Sequence, residues 1–308
     1  MIIRAICLLL LLGSLPVLAQ EDTDAQQAVE TKAEPEAKVD RNRERDEALA
    51  NQIPPDQVKW LASGDSEFLV RFKSEETGQP LGSLMMVSTP MQTILDPGLM
   101  TEAVDYFPTV SWHVMAVHPV DISFADQAVV AEAEPPTATE PGDESSDDSE
   151  PTNDTTNATV PEQVSDKEWY EKQHKENEKL LIDRLAISER ELLRNERGYV
   201  LVVSSYSASL VLTGIKEQKI KPRAVILLDI NHPVKLIQQQ LVSNLKDIPI
   251  PVLDIYHSGS MQLANLRKPL SKNRLYTQRF IPGVSADFKG SEMLLMRTIR
   301  GWLKKNLN

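Results

Sequence analysis

Five short runs along the chain are apolar almost without interruption: residues 84–87, 114–117, 199–203, 224–230 and 251–256. Each is bounded by polar or turn residues. A run that is apolar at consecutive positions fits a strand buried on both faces, as in a parallel sheet, better than a strand with one wet face. Between the runs the period changes. Residues 167–197 set Leu181, Leu185 and Leu192 on one stripe among many charged residues, and residues 290–305 place Leu295, Ile299 and Trp302 at i, i+4 and i+7. Those spacings predict amphipathic helices. Strands alternating with helices predict βαβ units with right-handed crossovers. The expected fold class is therefore α/β, a doubly wound, mostly parallel sheet.

Two stretches break the pattern. Residues 20–53 are rich in Gln, Glu, Asp, Ala and Lys and poor in large apolar side chains, and they read as a flexible polar lead-in. Residues 131–166 hold eleven acids, no base and no aromatic residue, which is the composition of a solvated, disordered acidic linker. The expected organisation is a leader at 1–19, the lead-in at 20–53, and one domain over 54–308 interrupted by the insertion at 131–166.

Charge then takes its place. The 308 residues carry a formal net charge of -12, but the lead-in accounts for -5 and the acidic insertion for -11. The remaining folded parts are close to neutral. No basic stripe with interleaved aromatics is present, so no nucleic-acid partner is expected.

The first residues carry a third message. Arg4, the apolar run from Ile6 to Leu12 and the small side chain of Ala19 form the pattern of a secretory signal peptide cleaved near Ala19. The apolar run is too short for a comfortable span, so no transmembrane segment is expected in the mature chain, and the expected location is periplasmic. The one cysteine, Cys7, lies inside this leader. A mature chain without thiols excludes disulfides, thiolate nucleophiles and cysteine metal sites. No histidine pair has metal-ligand spacing, so neither a metal nor another cofactor is expected.

The stretch with most chemical content runs from the apolar residues 199–203 into Ser205-x-Ser207-x-Ser209 and on to a helical stripe of Ala208, Val211, Leu212 and Ile215. A strand, a tight serine turn and a helix form the setting of a nucleophile elbow, which places Ser207 as the candidate nucleophile. The flanking glycines of such an elbow are replaced by Ser205 and Ser209, and a structural reading of Ser207 as a helix N-cap competes with the catalytic one. A serine nucleophile needs a base and an orienting acid. Asp254 falls in mid-strand, and the loop after the last expected strand, residues 275–281, has no histidine. His232 and His257, each following a strand, are the candidate bases by position. The turn after residues 84–87 contains Pro90, which lacks an N–H for an oxyanion.

The order of parts resembles a family of exported gammaproteobacterial proteins with an α/β-hydrolase-like fold and unknown function. The resemblance rests on the opening segment Asn51 to Trp60, the strand before Ser88, the serine turn at Ser207, the segment Ile248 to Tyr256 and the ending Arg297 to Leu303. It implies the fold and no activity. Loss of base, acid and oxyanion features together points to a protein without hydrolase activity, a binding or envelope-associated module with a small-molecule or envelope partner. The alternative is a serine ester or thioester hydrolase using Ser207 with an unorthodox base, His232 or His257.

Overall fold

The doubly apolar runs become central strands because each has side chains to bury above and below the sheet. The computed structural model describes residues 41–64, 66–90, 92–96, 98–119, 166–194, 198–232, 234–283 and 288–307. The leader and nearly all of the acidic insertion lie outside these residues. In chain order the elements are α1 (Arg41–Ala50), β1 (Val58–Ser63), β2 (Ser66–Lys73), β3 (Gly82–Val87), α2 (Leu99–Tyr106), β4 (Trp112–Val117), α3 (Asp166–Leu192), β5 (Tyr199–Ser204), α4 (Ser207–Lys216), β6 (Ala224–Leu228), α5 (Lys235–Lys246), β7 (Val252–Tyr256), α6 (Met261–Arg267), β8 (Tyr276–Phe280) and α7 (Glu292–Leu307).

The strands form one sheet in the order β1-β2-β4-β3-β5-β6-β7-β8. From β4 to β8 every pairing is parallel, whereas β1–β2 and β2–β4 are antiparallel. The parallel part matches the sequence expectation. The antiparallel hairpin at 58–73 does not announce itself there, because β1 is half-exposed and the buried apolar run of β2, Phe68 to Val70, is only three residues long between charged neighbours.

Period-two alternation divides the core into two layers. Leu84, Met86, Val200, Val202, Ala224 and Ile226 face one side, where α1, α2 and α7 cover them. Met85, Val87, Leu201, Val203, Val225 and Leu227 face the other, under α3, α4 and α5. The stripes read from sequence fall where expected: Leu295, Ile299 and Trp302 pack in the first layer, Leu181, Leu185 and Leu192 in the second. Helices α3 and α4 approach closely at Gly214, where a Cβ would stand 2.8 Å from Cγ1 of Ile182.

The folded part begins earlier than the polar composition of residues 20–53 suggests. Helix α1 lies within that stretch, burying Leu49, while the buried Asp46 carboxylate accepts the amide of Leu69 at 3.2 Å.

Helix α6, just beyond β7, is fixed by a buried charge pair. Arg267 and Asp254 are both fully buried. Arg267 Nε donates to Asp254 Oδ2 at 2.8 Å and Nη2 to Oδ1 at 3.2 Å, while the Tyr276 hydroxyl and Gln278 Nε2 donate to Oδ2. Burial, with the neighbouring carboxylate second, pushes the Tyr276 phenol well above its usual range, so it remains a donor. Asp254 is thus held by its cation within the sheet layer. Replacing Arg267 with Met strands a buried carboxylate, and urea unfolding should show a loss of about 3–5 kcal/mol; a loss below about 1 kcal/mol would mean that the tyrosine and amide donors alone compensate the charge.

Candidate functional site

In a parallel sheet the side chain that follows each strand is placed along one edge, where the crossovers leave a crevice. Here that edge is polar. Ser88 follows β3, His118 follows β4, Ser205 follows β5, Asp229 follows β6 and His257 follows β7. Ser88, His118, Asp229 and His257 are buried, and Ser205 is half-buried.

The sharp turn between β5 and α4 centres on Ser205, whose φ is 47°, a left-handed value uncommon for a residue with a Cβ. The turn is held open to that geometry by its neighbours: the Ser205 amide donates to Leu228 O at 2.7 Å, and the Ser205 carbonyl accepts from Ala208 N at 3.2 Å. Strained backbone maintained in this way is a feature of functional turns. The strain therefore lies two residues upstream of the position expected for a nucleophile. Ser207 sits in the first turn of α4, fully buried, and its Oγ donates to Ser88 O at 2.6 Å. It staples the helix to the end of β3. Ser209 Oγ bonds back to Tyr206 O at 2.8 Å. The hydroxyl of Ser205 has no hydrogen-bond partner among the described residues.

His257 stands at the end of β7 and caps the following turn. Its Nδ1 accepts the Gly259 amide at 3.0 Å. A ring nitrogen that accepts carries no proton, so the neutral ring holds its proton on Nε2. Nε2 lies 3.2 Å from Asp229 Oδ1, yet its N–H is not aimed at that oxygen, which is buried without a hydrogen bond among the described residues. Phe288 meets the ring edge-on at 5.9 Å between centroids. Gly259 permits the arrangement, since a Cβ there would stand 2.7 Å from the imidazole Cε1. Asp229 also has positive φ, 50°, and its amide donates to Ile255 O at 2.8 Å.

His232, the other candidate base, stacks on Tyr206 with centroids 4.3 Å apart and meets His174 of α3 edge-on at 5.4 Å. Its Nδ1 accepts the Val234 amide at 3.1 Å, so its proton too belongs on Nε2, which is buried and has no hydrogen-bond partner among the described residues. Burial, followed by the neighbouring His174, lowers its pKa to about 4; burial alone lowers that of His174 to about 4. Both rings are neutral at pH 7. His118 has the reverse tautomer, with Nδ1 donating to Pro119 O at 2.6 Å and a buried, unpartnered Nε2. Burial, then the Arg45 charge, takes its pKa to about 4. Strand β3 separates β4 from β5, which puts His118 roughly 9–10 Å from the elbow and out of contact with Ser205.

His232 and His257 thus lie beyond strand ends, as their place in the sequence suggests, whereas Ser205, Asp229 and His118 are candidates that only the structure brings forward. The signal that reaches them is positional, the polar residue one step past each buried strand. Among the described residues no group of three or more His, Cys, Asp or Glu could hold a metal ion, and no helix is long and apolar enough to cross a membrane.

The strand order, the strained turn after β5 and the polar edge define an α/β-hydrolase fold. Solved structures agree. The dienelactone hydrolase from Anabaena variabilis superposes with a TM-score of 0.53 at 12% identity over 82% of this chain and 100% of its own. Est1E from Butyrivibrio proteoclasticus gives 0.53 at 7% over 82% and 99%, and XC6422 from Xanthomonas campestris, an α/β serine hydrolase without lid, gives 0.51 at 12% over 80% and 93%. Identities this low carry the fold alone. Residues 2–305 match the family of proteins of unknown function designated DUF3530, and the chain belongs to that family. No curated protein matches it in sequence.

Two measurements check the site. Ser207→Ala leaves the Ser88 carbonyl buried without its donor and should lower the unfolding free energy by about 1–3 kcal/mol; an unchanged urea midpoint would mean the staple contributes nothing. The depressed histidines carry a pH signature. Because the unfolded chain protonates them near pH 6.5 and the folded one only near pH 4, stability is fully present above about 6.5 and declines as pH falls towards 4. Each contributes at most about 3 kcal/mol. A His174→Gln, His232→Gln double variant should lose less stability than the parent between pH 7 and pH 4.5 in urea titrations.

Proposed function

We propose that this protein is an exported, periplasmic binding or envelope-associated module built on the α/β-hydrolase scaffold, without hydrolase activity. The observation that carries the reading is the tautomeric state of the histidines at the crevice. A serine nucleophile needs a general base within hydrogen-bond reach, and an imidazole serves only through a nitrogen with a free lone pair. His257 and His232 each use Nδ1 to accept a backbone amide and keep the proton on Nε2, so neither can take the hydroxyl proton of Ser205 without breaking its own amide bond. Ser207 is removed further, by burial and by its bond to Ser88 O. The turn after β3 presents that carbonyl to α4 where a hydrolase needs amide donors for an oxyanion. The half-buried Ser205 hydroxyl and the buried, unsatisfied Asp229 Oδ1 remain as hydrogen-bonding groups for a small polar ligand. Export is supported by the leader pattern at residues 1–19.

One observation favours the alternative, an ester or thioester hydrolase. The elbow strain is retained at Ser205, and a rotation of His257 that releases Gly259 would free a lone pair beside Asp229. A fluorophosphonate probe separates the readings. The folded protein should remain unlabelled over hours while a control serine esterase labels fully. Stoichiometric modification at Ser205, abolished by Ser205→Ala, would overturn the non-hydrolytic reading; fractionation that leaves the protein in the cytoplasm would remove the periplasmic part.

A further inference from the structure

A second surface lies at the antiparallel margin of the sheet, four strands from β5. Among the described residues strand β1 is an edge strand, paired only with β2. Along it runs an open groove of about 600 Å³, whose other wall is the C-terminal end of α3 with Ile187, Arg190, Glu191 and the adjoining Arg194. Four consecutive residues of the strand, 59–62, line the groove. With α3 standing over one face of the sheet, the groove lies where that face meets the outer margin of β1. Along that margin the main-chain N–H and C=O groups have no ladder partner among the described residues.

Charge sets the groove's preference. Lys59, Arg190 and Arg194 contribute three cations against the single carboxylate of Glu191, which is shared between Lys59 Nζ at 3.2 Å and Arg194 Nη1 at 3.1 Å. Arg190 donates from Nε to Ala186 O at 3.4 Å and meets no carboxylate among the described residues.

We propose that this groove binds an extended acidic segment of a partner protein by strand addition to β1. The partner's main chain completes the edge ladder, and its carboxylates meet Arg190 and Arg194. An unpaired strand edge calls for a polypeptide, and the excess of guanidinium groups calls for an acidic one. The site is independent of the Ser205 crevice.

The test uses the full chain and a fluorescein-labelled peptide of about seven residues, alternating valine and glutamate, followed by fluorescence anisotropy at low salt. Saturable binding is expected, weakened roughly tenfold or more by the Arg190→Glu, Arg194→Glu double variant and by N-methylation of alternate peptide amides. Circular dichroism of the double variant checks its fold, and the N-methylated peptide probes the ladder without altering the protein. Binding indifferent to N-methylation would show charge attraction alone and overturn strand addition; absence of binding would overturn the proposal. Binding seen only after the acids of residues 131–165 are replaced by their amides would make the chain's own acidic tract the occupant, overturning the partner assignment.

Discussion

The interior strands of this sheet have no wet face. Apolar side chains on both surfaces of β3, β5 and β6 require cover above and below, and covering both requires that successive strands be joined by crossovers carrying helices. Polar groups are thereby disfavoured in the layer and gather at the carboxyl ends of the strands, where Ser88, His118, Ser205, Asp229 and His257 collect. The carboxylate inside the layer, Asp254, is tolerated because Arg267, Tyr276 and Gln278 saturate it. The polar edge is a consequence of burial before it is a matter of chemistry.

What that edge can do depends on which groups remain unsatisfied. The scaffold retains the strained turn of a serine hydrolase but uses its imidazoles differently. Amide donors from Val234 and Gly259 occupy the nitrogens a base would need, and the second serine of the turn is a structural staple. A fold shared with esterases therefore says little about turnover, since activity rests on the direction of a few hydrogen bonds that the architecture leaves undetermined.

The parallel strands and the stripes of α3, α4 and α7 were legible because burial on one or both faces imposes a period on the chain. The β1–β2 hairpin was not, since β1 is a half-exposed edge strand and the buried apolar run of β2 spans only Phe68 to Val70. Nor was α1, whose anchoring comes from three buried residues, Asp46, Leu49 and Ile53, in an otherwise charged stretch. At the serine turn the sequence pattern centres the elbow on Ser207, with Ser205 and Ser209 as its flanks. The left-handed backbone falls at Ser205 instead, because strand β5 extends to Ser204 and places the reversal immediately beyond it.

The chain by itself determined the fold class, the order of its parallel strands' apolar runs and the concentration of its acidity in two polar stretches, since all three follow from composition and period. Tertiary structure alone decided which serine bears the strain, which nitrogen of each histidine carries the proton, and that Lys59, Arg190 and Arg194, up to 135 positions apart, share one groove. These depend on contacts between distant segments, and no local pattern encodes the direction of a hydrogen bond formed across them.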